Sequence, residues 1–113
     1  MIEKVLYDYM VEAMEDICPV YMEEPLEKPS KYVLLEKTGS GYSNKIFTAT
    51  IAVQSYAESM YEAALLNTQV IDAMHDAITL DELASCRLNS DYNYTDTSTK
   101  RYRYQAVFDI VHY

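Results

Sequence analysis

The residues best suited to chemistry are two histidines, two cysteines, a glycine-flanked lysine loop and a short run of cations. His75 sits between Asp72 and Asp76, and a histidine with carboxylates close by on one helix is the beginning of a metal site. A structural zinc needs four protein ligands and a catalytic zinc three. No second His or Cys falls at a useful spacing from His75, and His112 stands alone. Cys18 and Cys86 form no C-x-x-C pair and sit in no basic cluster that would hold a thiolate. The stretch GSGYSNK, ending at Lys45, resembles a phosphate loop only in part. That loop requires G-x-x-x-x-G-K-[S/T] opening a helix, whereas Lys45 is followed by Ile46 and an alternating run. No H-E-x-x-H, G-x-S-x-G or dinucleotide fingerprint occurs. These patterns predict no catalytic site, no metal and no cofactor, and a protein that is not an enzyme.

The remaining chemistry is that of surfaces. Lys100, Arg101 and Arg103 cluster where a polar loop enters a strand, and Glu23, Glu24 and Glu27 make an acidic counterpart. One patch meeting a different patch on the next copy is the contact that builds a head-to-tail ring. The competing role for these cations is protection of a sheet edge. The twelve tyrosines add large apolar bodies with polar tips, which suit subunit contacts.

The elements that must position these residues follow from periodicity. From Lys45 the sequence KIFTATIAVQSYA alternates, with Phe47, Ala49, Ile51 and Val53 on one side and Thr48, Thr50, Ala52 and Gln54 on the other. That is a strand. Ser59 and Glu62 then make a capping box, so a long helix follows. Its apolar arc is wide, and Tyr61 and Leu65 lie outside even that arc as candidate contact residues. Ile2 to Ile17 has helical spacing of apolar residues. Cys18 to Lys31 holds all three prolines and reads as a connector with an optional short edge strand over Val20–Met22. Tyr32 to Thr38 is a strand, and Gly39-Ser40-Gly41, the only glycines, should make the tight turn of a hairpin. Gly39, Ser40, Gly41 and Tyr42 are then exposed contact candidates. Thr79 to Glu82 repeats the capping pattern, which places one short helical turn before the next strand. Ser85 to Tyr94 alternates with Cys86, Leu88, Tyr92 and Tyr94 on one side, TDTSTK is a hairpin tip, and Arg101 to Tyr113 is the last strand. The loops 39–45 and 91–100 should be mobile in a free chain and ordered in an assembly.

The expected architecture is α+β: an antiparallel sheet of about four to five strands in two hairpins, with two main helices on one face, in the order α-(β)-β-β-α-β-β. A chain of 113 residues fits one domain spanning 1–113. Half the residues are hydrophobic and the formal net charge is -9. An acidic domain does not grip nucleic-acid phosphates and avoids anionic membrane surfaces. The acidic start suits neither a signal nor a transit peptide, no apolar run approaches a membrane span, and the two cysteines read as free thiols in a reducing cytoplasm.

One resemblance is carried by YVLLEKTGSGYSNKIFTATIAVQSYAESMYEAALLNTQVIDAM after an acidic first helix, and by the closing strand RYRYQAVFDIVHY. The element order and these stretches resemble the tail-terminator (tail-completion) proteins of long-tailed bacteriophages, sometimes labelled minor capsid proteins. The resemblance implies a homo-oligomeric, usually hexameric ring that caps the completed tail tube and docks the head. Its partners would be the tail tube protein and head–tail connector proteins, with genomic DNA passing through the lumen without specific binding. Its place would be the virion, at the head–tail junction, after assembly in the host bacterial cytoplasm. Another connector, such as a stopper or adaptor, is the nearer alternative. A small α+β ligand-binding or enzymatic dimer is the more distant one.

Overall fold

The computed structural model describes residues 1–99 and 101–113. Its elements run α1 (Ile2–Ala13), β1 (Val20–Tyr21), β2 (Tyr32–Ser43), β3 (Ile46–Ala57), α2 (Met60–Asp76), a short 3-10 turn (Ala77–Thr79), β4 (Leu83–Asn93) and β5 (Tyr102–His112). The fold is mixed α+β. The five strands form one sheet in the order β1-β2-β3-β5-β4. All neighbours are antiparallel except β1, which runs parallel to β2, so the sheet is mixed rather than purely antiparallel. The parallel pair arises because the proline-rich connector returns the chain to the starting end before β2 begins.

The alternation in β3 becomes burial on one face. Ala49, Ile51 and Val53 join Val33 and Leu35 of β2 and Ala106, Phe108 and Ile110 of β5. Leu6 and Met10 of α1, Met14 just past its end, and Leu66, Val70 and Met74 of α2 close over them. Each such side chain removed from water contributes roughly 1.5–3 kcal/mol before entropy is counted. α2 starts where the capping box placed it: the Ser59 side chain accepts from the Glu62 backbone N–H at 3.1 Å. α1 is shorter than its periodicity, ending at Ala13, and Met14 to Ile17 form turns that carry Met14 into the core.

Three local expectations are corrected. The tight turn is not at the glycines: Gly39-Ser40-Gly41 lie inside β2, and the reversal falls at Asn44 and Lys45, with φ of 52° and 63°. Two consecutive left-handed residues are the signature of a type I′ hairpin turn. Gly39 instead borders a β-bulge after Lys37, and Gly41 sits so close to Thr48 that an added Cβ would lie 2.8 Å from its Oγ1. The Thr79 pattern starts no helix, because the Thr79 hydroxyl turns back to donate to the Asp76 carbonyl at 2.9 Å. In β4 the register slips between Leu88 and Ser90. A one-residue slip exchanges faces, so Cys86 and Leu88 face the helices while Tyr92 and Tyr94 face the other way.

Candidate assembly surfaces

β3 is buried on both faces at its far end. Opposite the helices, Tyr32, Leu34 and Tyr56 form a second small core with Tyr21 packed on it. The Tyr32 and Tyr56 rings stack at 4.5 Å, and Tyr21 meets Tyr32 edge-on at 5.9 Å. The guanidinium of Arg101 lies 4.8 Å from the Tyr56 ring centre, and that of Arg103 lies 4.4 Å from the Tyr94 ring centre. The Tyr32 hydroxyl donates to the Glu24 carboxylate at 2.5 Å, and Arg101 donates to both Glu24, at 3.0 Å, and the Tyr32 oxygen. Burial alone would raise the Glu24 carboxyl, but the Tyr32 hydrogen bond and the Arg101 charge outweigh it and hold Glu24 below the usual carboxylate value. Burial, with the Glu24 hydrogen bond, pushes the Tyr32 phenol well up. Both effects keep the hydroxyl proton on tyrosine and the charge on glutamate.

The hydrogen bonds continue across this face. Arg103 donates to the Tyr56 hydroxyl at 3.0 Å, Tyr56 donates to Gln54 at 2.9 Å, Gln54 to Gln105 at 2.8 Å, and Gln105 to Tyr92 at 2.5 Å. The acidic segment and the cations therefore do meet, but within one chain: Arg101 takes Glu24 as its own intramolecular partner. The expectation set these cations against the acidic segment of another copy; within the chain Arg101 already has Glu24. Glu23 and Glu27 are exposed beside it, and Lys100, predicted with the arginines, lies outside the described residues. The edge-protection role also falls, since β5 lies between β3 and β4 rather than at an edge.

The opposite end of the sheet has no such cover. The helices reach β3 only from about Ala49 onward, and Glu36 to Thr48 are exposed apart from half-buried Gly39. On the helix-side face of this overhang Tyr42 and Phe47 pack at 4.5 Å, and Phe47 stacks on His112 at 5.6 Å. Tyr42, Ile46 and Phe47 remain 61%, 50% and 44% exposed. Where the overhang meets α1, Glu3 pairs with Lys37 at 3.3 Å and ties the root of the hairpin to the helix layer. β1 pairs only with Val33 and Leu34, so among the described residues the rest of β2 has no strand partner on its outer edge. Of the predicted contact residues, Gly39, Ser40, Gly41 and Tyr42 belong to this overhang as strand rather than turn. Phe47, on the apolar side of the β3 alternation, and Ile46 are exposed with them. The early reversal at Asn44-Lys45 was the signal that could have found them.

A second exposed apolar pair is where the wheel of α2 put it. Tyr61 is 77% exposed and Leu65 48%, with exposed Glu58 and Glu62 alongside. His75 is exposed on the same helix, and among the described residues no group of three His, Cys, Asp or Glu side chains is placed to hold a metal ion. Burial pushes the thiols of Cys18 and Cys86 up to about 11, so both stay protonated at neutral pH. Among the described residues no helix is long and apolar enough to cross a membrane.

No protein-family model and no curated protein matches this sequence.

Proposed function

We propose that this protein is a structural subunit of a phage tail-terminator ring, a hexameric homo-oligomer that caps the completed tail tube and presents the docking surface for the head. The observation that carries the reading is the sheet that outruns its helix layer. Residues 40–48 project as an exposed hairpin with Tyr42, Ile46 and Phe47 uncovered. A lone chain gains nothing from holding such side chains in water, whereas a subunit places them against a neighbour. The resemblance of the sequence to tail terminators supplies the kind of assembly. The net charge of -9 suits a channel through which DNA slides without being gripped. The reading assigns no catalysis and no cofactor. Its partners are further copies of the chain, the tail tube protein and a head–tail connector. Its place is the head–tail junction of the virion, reached after assembly in the host cytoplasm.

Electron microscopy of the purified protein, paired with native mass spectrometry, tests the proposal. A closed ring with a central hole supports it. A stable dimer enclosing a dry pocket overturns it in favour of ligand binding. Deleting the gene from its phage separates the terminator from a stopper or adaptor. Loss of the terminator leaves tails of uncontrolled length that fail to join heads, whereas loss of a stopper or adaptor leaves tail length normal.

A further inference from the structure

The two exposed apolar patches lie at opposite ends of the molecule. β3 starts at the hairpin tip and ends beside the start of α2, and its twelve residues span about 40 Å. The molecule measures 44 Å along its longest axis. One patch holds Tyr42 and Phe47 on one face of the tip, with Lys45 at the turn and Ile46 on the reverse face; the other holds Tyr61 and Leu65 with Glu58 and Glu62. We propose that the hairpin tip of one copy docks on the amino-terminal half of α2 of a second copy, Tyr42 and Phe47 against Tyr61 and Leu65, with Lys45 facing Glu58 and Glu62. The proposal rests on the assembly reading above and names the two faces that meet.

Charge selects this pairing over its rivals. Tip against tip would set Lys45 beside its own copy, and α2 against α2 would oppose the same glutamates, whereas tip against α2 joins opposite signs. Two different patches meeting head to tail form a heterologous contact, which propagates into a ring where the rotation closes and into a filament where it does not, rather than stopping at a dimer. The tip is also built before it binds. Its turn is fixed at Asn44-Lys45, and Tyr42, Phe47 and His112 hold one another in a row. The free chain already sets the shape of the tip, so docking has only to damp its fraying. Arg101 and Arg103 are engaged with their own chain and are not needed for the contact.

Site-directed cross-linking tests this on the full chain. Ser43→Cys and Thr68→Cys place thiols on the rims of the two patches and leave every anchor intact, since both positions are exposed. The native Cys18 and Cys86 are buried and half-buried, and the parent chain is the control. With a short bismaleimide, a mixture of the two variants should give cross-linked dimer at least tenfold above either variant alone, and the double variant should give a ladder. Lys45→Glu on the Ser43→Cys chain should lower the yield about two- to fivefold, and Glu62→Lys on its partner should restore it. Absence of the 43–68 link, a Ser43→Cys chain that links to itself as readily, or no rescue by the charge swap would each overturn the contact. A closed ring without the 43–68 link overturns this contact and leaves the assembly reading standing. A 43–68 ladder that never closes supports the contact and counts against the ring.

Discussion

Glu24 links three parts of the fold. It accepts from Tyr32 and from Arg101, and it anchors the proline-rich connector to the sheet through a carboxylate that is still 40% exposed. Exposure means solvent screens the charge, so Glu24→Gln should cost below about 1 kcal/mol at neutral pH. The pH dependence has a definite sign. A carboxyl held below its ordinary value of 4.5 in the folded state contributes stability that is present above that value. That contribution is lost as pH falls through the lowered folded value. Urea unfolding should therefore separate wild type from Glu24→Gln at pH 7 and bring the two curves together under more acidic conditions. A difference that persists or grows in acid would mean that the hydrogen bonds, not the charge, hold the connector. The two glycines give a second residue-scale contrast. Neither has positive φ. A methyl at Gly39 finds its nearest atoms at 3.9 Å, in ordinary contact, while one at Gly41 meets Thr48 Oγ1 at 2.8 Å. Gly39→Ala should stabilise by about 0.5–1 kcal/mol through the lost freedom of the unfolded chain. Gly41→Ala should not, because Thr48 must leave its rotamer, and thermal melts of the two variants should rank them in that order.

At the scale of elements, the turn of the β2–β3 hairpin carries strain that its sequence does not relieve. Lys45 has φ 63°, a region that costs a non-glycine residue about 1–2 kcal/mol. Asn-Gly is the preferred pair for this turn, so Lys45→Gly should raise the unfolding free energy by about 1 kcal/mol. Unchanged or lower stability would show that Lys45 is held there by contacts of its own. Such a variant also removes the charge that the proposed docking uses, so it should be more stable and less associated at once. At the start of α2, Ser59→Ala should cost about 1 kcal/mol by freeing the Glu62 N–H. The cap, the long strand and the last strand were legible because capping chemistry and period-2 alternation are local. The turn was not, because glycine is the usual φ > 0 residue and here its absence of side chain serves a close approach to Thr48 instead. The face of Tyr92 and Tyr94 was not, because one bulge at Leu88–Ser90 inverts everything after it and leaves no local mark in a polar stretch. The outer-face core was half-legible: the supposedly solvent side of β3 carries Ala52, Gln54 and Tyr56, which are too small, too amide-rich or too large for a purely solvated face.

At the scale of the molecule, cover is distributed unevenly along the sheet, and this sets how each region should open. Near Tyr56 the sheet is buried on both faces, by α2 on one and by Tyr32 and its clasp on the other. At the tip it has no helix cover, and past Phe47, which still pairs with His112 of β5, only β2 and β3 remain as a ribbon that alone is marginally stable in water. Its amides should open by local fraying, at a free energy far below that of global unfolding. In the free chain, hydrogen exchange over 40–48 should therefore be fast, while exchange over 51–56 should report global stability. Docking of the tip on a second copy would remove Tyr42 and Phe47 from water and slow exchange over 40–48, leaving 51–56 unchanged because it is already at its limit. A tip as slow as 51–56 in the free chain would mean that Glu3–Lys37 and the Tyr42–Phe47–His112 row hold the ribbon without help. Equal exchange over 40–48 in free and assembled protein would remove the tip from the interface, and the exposed aromatics would then need a partner other than a second copy.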